Sequence, residues 1–443
     1  MESVAMPKTV ILVHGYSVRS LSTYGQMPEL FVSEGIQPET IQISAFDSLD
    51  NSVTCDDLAA ALEDRVAELK AAGIDIADSA IVTHSTGAMI ARRWILNRVA
   101  ANQTLPSHFV SLAGATHGST LAHLGQSILN RIRQDLSKAN GIGQQVLTDL
   151  DYGSAFLRRV DAEWLDAAKA GKLDNLYCFS IVGDDHSELQ DEVFWQAHEP
   201  GSDSTVRIAG ANFNYTWLEA DPYATPPVIK SRAAVTDVAF LVLHGYSHTG
   251  KTGIIDSLTT TRDAPFAAIM DAFRVVDKAS YDALRTTWSQ AVAAWNAANS
   301  ADCCSMIVFR LVDESGRPIP DNVILLYDLT GTPTQLQGMQ DHQPIQNAVD
   351  GSVISFYLKF PAFTGDPAAP INHGIRIEAK SGSPLIDYEG MDYVLAPDVL
   401  VLVRPNEVTY VDVAVKRDVS AIYRVIAYST GPDMTKQWPP LPS

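Results

Sequence analysis

The segment Thr83-His84-Ser85-Thr86-Gly87 holds the residue types that nucleophilic hydrolysis needs. An apolar run, Ala80-Ile81-Val82, precedes the serine, and a helical pattern from Ala88 to Leu96 follows it. A serine between strand and helix sits on a sharp turn that lifts its hydroxyl clear of the sheet. The next backbone N–H and the helix N-terminus then face any developing negative charge. A serine hydroxyl is a weak nucleophile near neutrality. It needs a base to take its proton and an acid to orient that base.

After a serine in this setting, the acid and then the histidine follow along the chain. For the acid, Asp203 in Gly201-Ser202-Asp203-Ser204-Thr205-Val206 is preferred, with Asp184 and Asp185 in Gly183-Asp184-Asp185-His186 as the alternative. Any of these carboxylates could instead cap a local turn. For the base, His248 in Ser247-His248-Thr249-Gly250 is preferred over His244, which lies closer to a strand end. His84 cannot easily turn onto its neighbour's hydroxyl and reads as packing behind the site. His117, in Ala115-Thr116-His117-Gly118-Ser119, reads as lining it. An oxyanion hole needs two donors. The Thr86 N–H is one. The Tyr16 N–H, in His14-Gly15-Tyr16-Ser17, is the other, with Gly15 letting the backbone pass close to substrate.

The elements that must position these groups alternate. Thr9 to Val13 reads as a buried parallel strand, Ile41 to Ile43 as a second, and Asp56 to Ala71 as a helix with Leu58, Leu62, Val66 and Leu69 on one face. Strands are expected around Ile81, at Phe109 to Gly114, at Tyr177 to Val182 and, as the last of the core, at Val238 to Leu243. This predicts an α/β fold with a mostly parallel sheet and helices on both faces. Residues 118–172 are helical in pattern and sit where a lid or cap would be inserted. Helices follow at Ile255 to Ser257 and at Tyr281 to Ala298. After Ser300 short runs recur between turns, at Met306 to Val312, Val323 to Tyr327, Val353 to Leu358, Gly374 to Ala379, Val399 to Val403, Tyr410 to Val415 and Ala421 to Tyr428. The expected division is residues 1–300 as an α/β catalytic domain and 301–443 as an all-β sandwich. One echo stands out: ILVHGYS at residues 11–17 and LVLHGYS at 241–247. The surroundings differ, so this is no domain repeat. Both mark strand ends at the sheet edge where α/β sites form.

Composition narrows the function. The chain has 443 residues, 46% hydrophobic, enough for a large core. Its formal net charge of -20 disfavours sequence-independent binding to nucleic acid or anionic membranes, despite a local basic group at Arg131, Arg133 and Lys138. Four cysteines, Cys55, Cys178, Cys303 and Cys304, are too few for a disulfide framework, and none has metal-ligand spacing. The N-terminal residues show no signal-peptide pattern, and no apolar run approaches the roughly 18 to 20 residues that span a bilayer. The expected compartment is the cytoplasm, with export that leaves the N-terminus intact as the alternative.

Residues 8–260 resemble bacterial lipases and related esterases of the α/β-hydrolase superfamily. The matching pieces are VHGYS (13–17), THSTG (83–87), AGATHGSTLA (113–122), SDSTVRIAGAN (202–212) and SHTG (247–250). The first position of the serine motif, usually glycine, is Thr83 here. The resemblance implies a triad of Ser85, Asp203 and His248 that hydrolyses carboxylic esters through an acyl-enzyme. It implies lipid-like acyl substrates, transient contact with a lipid surface, and no metal or organic cofactor. It does not cover the chain after residue 300, whose partner it leaves unknown. A phospholipase acting as an exported effector is the second enzymatic reading. A non-catalytic scaffold in which the β domain does the binding is the third.

Overall fold

A computed structural model describes residues 6–18, 20–119, 122, 141–186, 199–221, 223, 228–300, 302–328, 344–359, 373–388, 394–395 and 402–422. Strands β1 (Thr9–Val13), β2 (Ile41–Ile43), β3 (Ser79–His84), β4 (His108–Leu112) and β5 (Tyr177–Gly183) form one sheet with β8 (Ala239–Leu243). Every pairing in it is parallel, and the order is β2-β1-β3-β4-β5-β8. Side chains alternate between its faces, as the two-residue period of a strand requires. Val10, Leu12, Val82, Val110 and Leu112 pack with α1 (Met27–Ser33), α7 (Ala264–Phe273) and α8 (Lys278–Ala298), the short α6 being Ile208–Ala211. Ile11, Val13, Ile81 and Phe109 pack on the other face with α2 (Cys55–Ala71), α3 (Gly87–Ala100) and α5 (Ala155–Lys169). Helix α2 begins at a reciprocal cap between Thr54 and Asp57, which satisfies N–H groups that a helix start leaves open.

The lid expected over residues 118–172 is described only in part. Helix α4 (Gln144–Leu150) and α5 put Val146, Leu150, Leu157, Val160 and Trp164 into the core, where Trp164 meets Phe109 and Phe213. A helix with that much buried apolar surface is a packing layer. Residues 120–121 and 123–140, with the basic group Arg131, Arg133 and Lys138, lie outside the described residues. Ile255 to Ser257, expected as a helix, is a turn. The helix follows at Ala264–Phe273, where Pro265 stands in the first turn and needs no N–H partner.

The second layer is the larger departure. Strands β6 (Tyr215–Asp221) and β7 (Val228–Val235) form an antiparallel hairpin between the loop that carries Asp203 and β8, where no strands are expected. The hairpin joins β9 (Cys304–Asp313), β11 (Ile345–Gln346), β12 (Val353–Lys359) and β16 (Val408–Val415) in the order β11-β12-β9-β16-β6-β7. Strand pairing therefore crosses the expected boundary at residue 300, with β6 parallel to β16 over Tyr215 to Ala220. This mixed sheet is buried on both faces. Met306, Val308, Val353, Tyr357 and Tyr410 pack into the core of the α/β layer, while Ile307, Phe309, Ile354, Phe356 and Val411 pack the opposite way. The opposite core is shared with Ile324, Ile375 and Ile377 of β10 (Asn322–Asp328) and β13 (His373–Ala379), which pair antiparallel and are joined by β15 (Val394–Leu395). Two short strands, β14 (Asp387–Tyr388) and β17 (Arg417–Asp418), pair antiparallel beside them. The C-terminal region is thus a β-sandwich with one sheet seated on the α/β layer. Leu402 to Val403 is not a strand, and residues 399–401 and 423–428 of the expected later runs lie outside the described residues.

Candidate active site

Ser85 stands between β3 and α3 with φ of 55°. A non-glycine residue in that left-handed region costs on the order of 1 to 2 kcal/mol, so the surroundings must enforce it. The Ser85 N–H donates to the Leu112 carbonyl across the sheet edge, and its own carbonyl accepts from Ala88 and Ala115. Thr83, at the position where glycine is usual, fits because its hydroxyl turns onto the Val110 carbonyl at 3.5 Å.

The structure brings the three preferred residues together. The Ser85 hydroxyl donates to His248 Nε2 at 3.0 Å, and His248 Nδ1–H donates to Asp203 Oδ2 at 2.9 Å. Asp203 is fully buried, and its second oxygen accepts from the N–H groups of Val206 at 2.7 Å and Thr205 at 3.1 Å. Its carbonyl accepts from the His248 N–H, so acid and base are tied through backbone as well. A buried carboxylate left without such partners would be costly.

The loop His14 to Ser17, expected to supply an oxyanion donor, lies against the serine. A Cβ on Gly15 would come within 2.7 Å of Ser85 Cβ, so no side chain fits there. Among the described residues, neither the Tyr16 N–H nor the Thr86 N–H has an acceptor. The Tyr16 hydroxyl donates to the Ile142 carbonyl at 2.5 Å, and burial pushes it up to about 12. His14 is buried beside this loop. Its ring stacks on Phe46 at 3.8 Å, Nε2 accepts from the Phe46 N–H, and Nδ1–H donates to the Gly15 carbonyl. Burial lowers the His14 pKa, in keeping with a neutral ring in this role. His14 is thus a brace for the loop. Phe46, which makes that brace, carried no sequence signal because the contact spans a crossover.

His84 is a brace of the second kind. Its Nε2–H donates to the His248 carbonyl at 3.1 Å, and the two rings lie 4.7 Å apart. Burial, then the charge of His248, holds His84 well below the usual histidine range. His117 does not line an open site as expected. It is fully buried, with Nδ1–H donating to Asp161 Oδ2 at 2.9 Å. Arg92 and Tyr410 also donate to Asp161, at 2.8 and 2.6 Å. Burial alone would raise Asp161, but the neighbouring His117 and Arg92 hold it below the usual carboxylate range. A buried carboxylate on α5 draws His117 inward, a partner the loop sequence could not reveal.

The alternative acid and the alternative base meet each other. His244 Nδ1–H donates to Asp184 Oδ2 at 2.8 Å, and Asp184 also accepts from Trp295 and the Gly245 N–H, both at 2.7 Å. Asp185 accepts from the Thr252 hydroxyl at 3.1 Å. A cavity of about 530 Å³ borders the loop after β1, beside His14, Leu21, Tyr24 and Phe46, and another of about 690 Å³ borders β2, beside Ile43, Phe46, Leu62, Leu69 and Ile90. Neither is lined by Ser85 or His248. Among the described residues no cluster of three histidine, cysteine or acidic side chains is set to hold a metal, and no helix is long and apolar enough to cross a membrane.

With this geometry in hand, the chain can be set beside solved structures. It matches phospholipase PlaB from Legionella pneumophila with a TM-score of 0.81 and 26% identity, over 97% of each chain. PlaB in complex with thio-NAD matches with the same TM-score and 27% identity, over 94% of this chain and 96% of that one. A Bacillus licheniformis lipase, BlEst2 in its mature form, matches with a TM-score of 0.42 and 17% identity, over 61% of this chain and 93% of that one. The chain belongs to the α/β-hydrolase superfamily. As a member of that superfamily, this α/β-hydrolase carries its likeness to PlaB through the C-terminal region as well, so the β-sandwich is part of the shared architecture. No protein-family model matches the sequence, and no curated protein does.

Proposed function

We propose that the chain hydrolyses carboxylic esters of lipids, with Ser85 as nucleophile, His248 as base and Asp203 as the orienting acid. The observation that carries this reading is the hydrogen-bond chain from Ser85 to His248 to Asp203, at 3.0 and 2.9 Å. Ser85 Oγ bonds to the ester carbon as its proton passes to His248 Nε2. The carbonyl oxygen becomes the oxyanion and accepts from the N–H groups of Tyr16 and Thr86. His248 returns that proton to the departing alcohol oxygen, which leaves the acyl group on Ser85. Water then attacks the acyl carbon, giving a proton to His248. Collapse releases the fatty acid and restores the Ser85 hydroxyl. Asp203 keeps its charge throughout and holds the imidazole in one tautomer.

The phospholipid reading is favoured among lipid esters. Its support is the likeness to a phospholipase over 97% of the chain, β-sandwich included. The test is fatty-acid release from phosphatidylcholine micelles and from p-nitrophenyl esters of rising acyl length, by wild type and Ser85→Ala. Loss in the variant of about 10⁴-fold or more is expected, since removing a triad nucleophile leaves only the binding and oxyanion contributions. Equal rates in both proteins would remove Ser85 from the reaction. Activity on acetyl and butyryl esters alone would remove the lipid substrate.

A further inference from the structure

The loop that presents Asp203, residues 199–208, is held from outside the α/β layer. Glu199 and Arg207 close it through two hydrogen bonds of 2.7 Å. The buried Arg207 guanidinium lies between the rings of Tyr152 and Tyr357, 4.5 and 4.4 Å from their centroids, and Nη1 reaches the Met306 sulfur at 3.6 Å. The Tyr357 hydroxyl donates to the Gly201 carbonyl, which also accepts from the Ile208 N–H at 2.8 Å. Gly201 has φ of +74°, and a Cβ there would come within 2.5 Å of the Asp302 carbonyl oxygen. The loop therefore turns tightly against chain that lies after residue 300. Met306 is on β9 and Tyr357 on β12.

We propose that Tyr357 is a positioning residue for hydrolysis, acting through the Gly201 carbonyl and the Arg207 stack to fix Asp203 against His248. This rests on the triad reading above. The β-sandwich would then be part of the catalytic apparatus without touching substrate. The hydroxyl anchors a carbonyl two residues from the carboxylate. A misplacement near 1 Å in such a relay costs up to about 100-fold in rate. A buried cation stacked on two rings is also a stiff support, since the planar guanidinium loses little freedom when bound.

The test is a double-mutant cycle in the full chain, read as kcat and KM on one ester. Tyr357→Phe keeps the ring over Arg207 and removes only the hydroxyl. It is expected to lower kcat about tenfold in the wild-type background with KM within about twofold, and to lower kcat less than about twofold when Asp203 is already Asn. Equal losses in both backgrounds, or no loss in the wild type, would overturn the proposal. If Tyr357→Phe does not fold, Arg207→Lys enters the same cycle, keeping the cation beside Glu199 and losing the planar stack, with the same outcomes deciding. Failure of the underlying reading looks different: Asp203→Asn would then hydrolyse at the wild-type rate. An impaired Asp203→Asn with an additive cycle overturns the positioning role alone.

Discussion

Two histidine–carboxylate pairs sit near the carboxyl edge of the parallel sheet. His248 and Asp203 are 2.9 Å apart, and His244 and Asp184 are 2.8 Å apart, each through Nδ1. What surrounds them differs. The His248 pair is buried, and the second ring nitrogen meets the Ser85 hydroxyl. The His244 ring is 80% exposed and, among the described residues, its second nitrogen has no partner. Asp184 is also engaged by Trp295 and the Gly245 N–H, which ties the end of α8 to the loop after β8. A histidine held by a carboxylate is a common surface motif. What the first pair adds is exclusion of water and a hydroxyl on the free nitrogen, the conditions under which a preorganised proton relay acts most strongly.

Replacing the two histidines in parallel is the sharpest way to break that contrast. His248→Ala is expected to lower kcat by about 10⁴-fold or more, because it removes the proposed base. His244→Ala is expected to keep kcat within about twofold. Initial rates on a single soluble ester decide. Comparable losses in both would mean that the exposed pair takes part in the reaction, and the distinction by burial would fail.

A smaller effect is expected from the brace behind His248. His84→Phe keeps a ring of similar shape against His248 but removes the donor to its carbonyl. The His248 loop would then lose one fixed point, and kcat is expected to fall about tenfold with KM little changed. The nearest equivalent on the exposed side, Trp295→Phe, removes a donor to Asp184 and should not change kcat. Rates for the two variants would sharpen the comparison from pairs of residues to their supports.

Ser85, Asp203 and His248, the proposed triad, stand out in the sequence because each is a local signal and the three follow a fixed order. Ser85 follows an apolar run and opens a helix, and Asp203 and His248 sit in short polar loops after it. The parallel sheet was legible for a similar reason, since continuous apolar runs such as Thr9 to Val13 have few other homes. What escaped depends on partners distant in sequence. The hairpin at Tyr215–Asp221 and Val228–Val235 is a pair of strands whose neighbour, Val408–Val415, lies almost 200 residues on, and nothing in its own pattern names that neighbour. His117 was read as lining the site because its loop follows a strand. Its position is set by Asp161 and Tyr410, from a helix and a strand far along the chain. The echo of HGYS at residues 14–17 and 244–247 shows the limit from the other side. The same four residues bury a histidine beside Ser85 in one place and expose one to solvent in the other.

The smallest expected effect is on stability, and its sign separates exposed from buried histidines. The hydrogen bond to Asp184, and then its charge, raises His244 above the usual value near 6.5. A proton is thus bound more tightly in the folded state. That contribution is fully present below about pH 6.5, where the unfolded chain is also protonated, and is lost as pH rises through the higher folded value. Solvent around the exposed ring screens the pair, which keeps the contribution under about 1 kcal/mol. Burial drives His108 the other way, down to about 4, so its contribution is lost as pH falls from about 6.5 toward that value. Comparing wild type with His244→Gln cancels the buried histidines, which both proteins share. Urea midpoints at pH 5.5 and 8.5 should show wild type ahead of the variant at the lower pH, with the gap narrowing at the higher one. A gap that widens with pH would mean that the exposed ring is held neutral by its surroundings, and the contrast drawn between the two pairs would lose its electrostatic half.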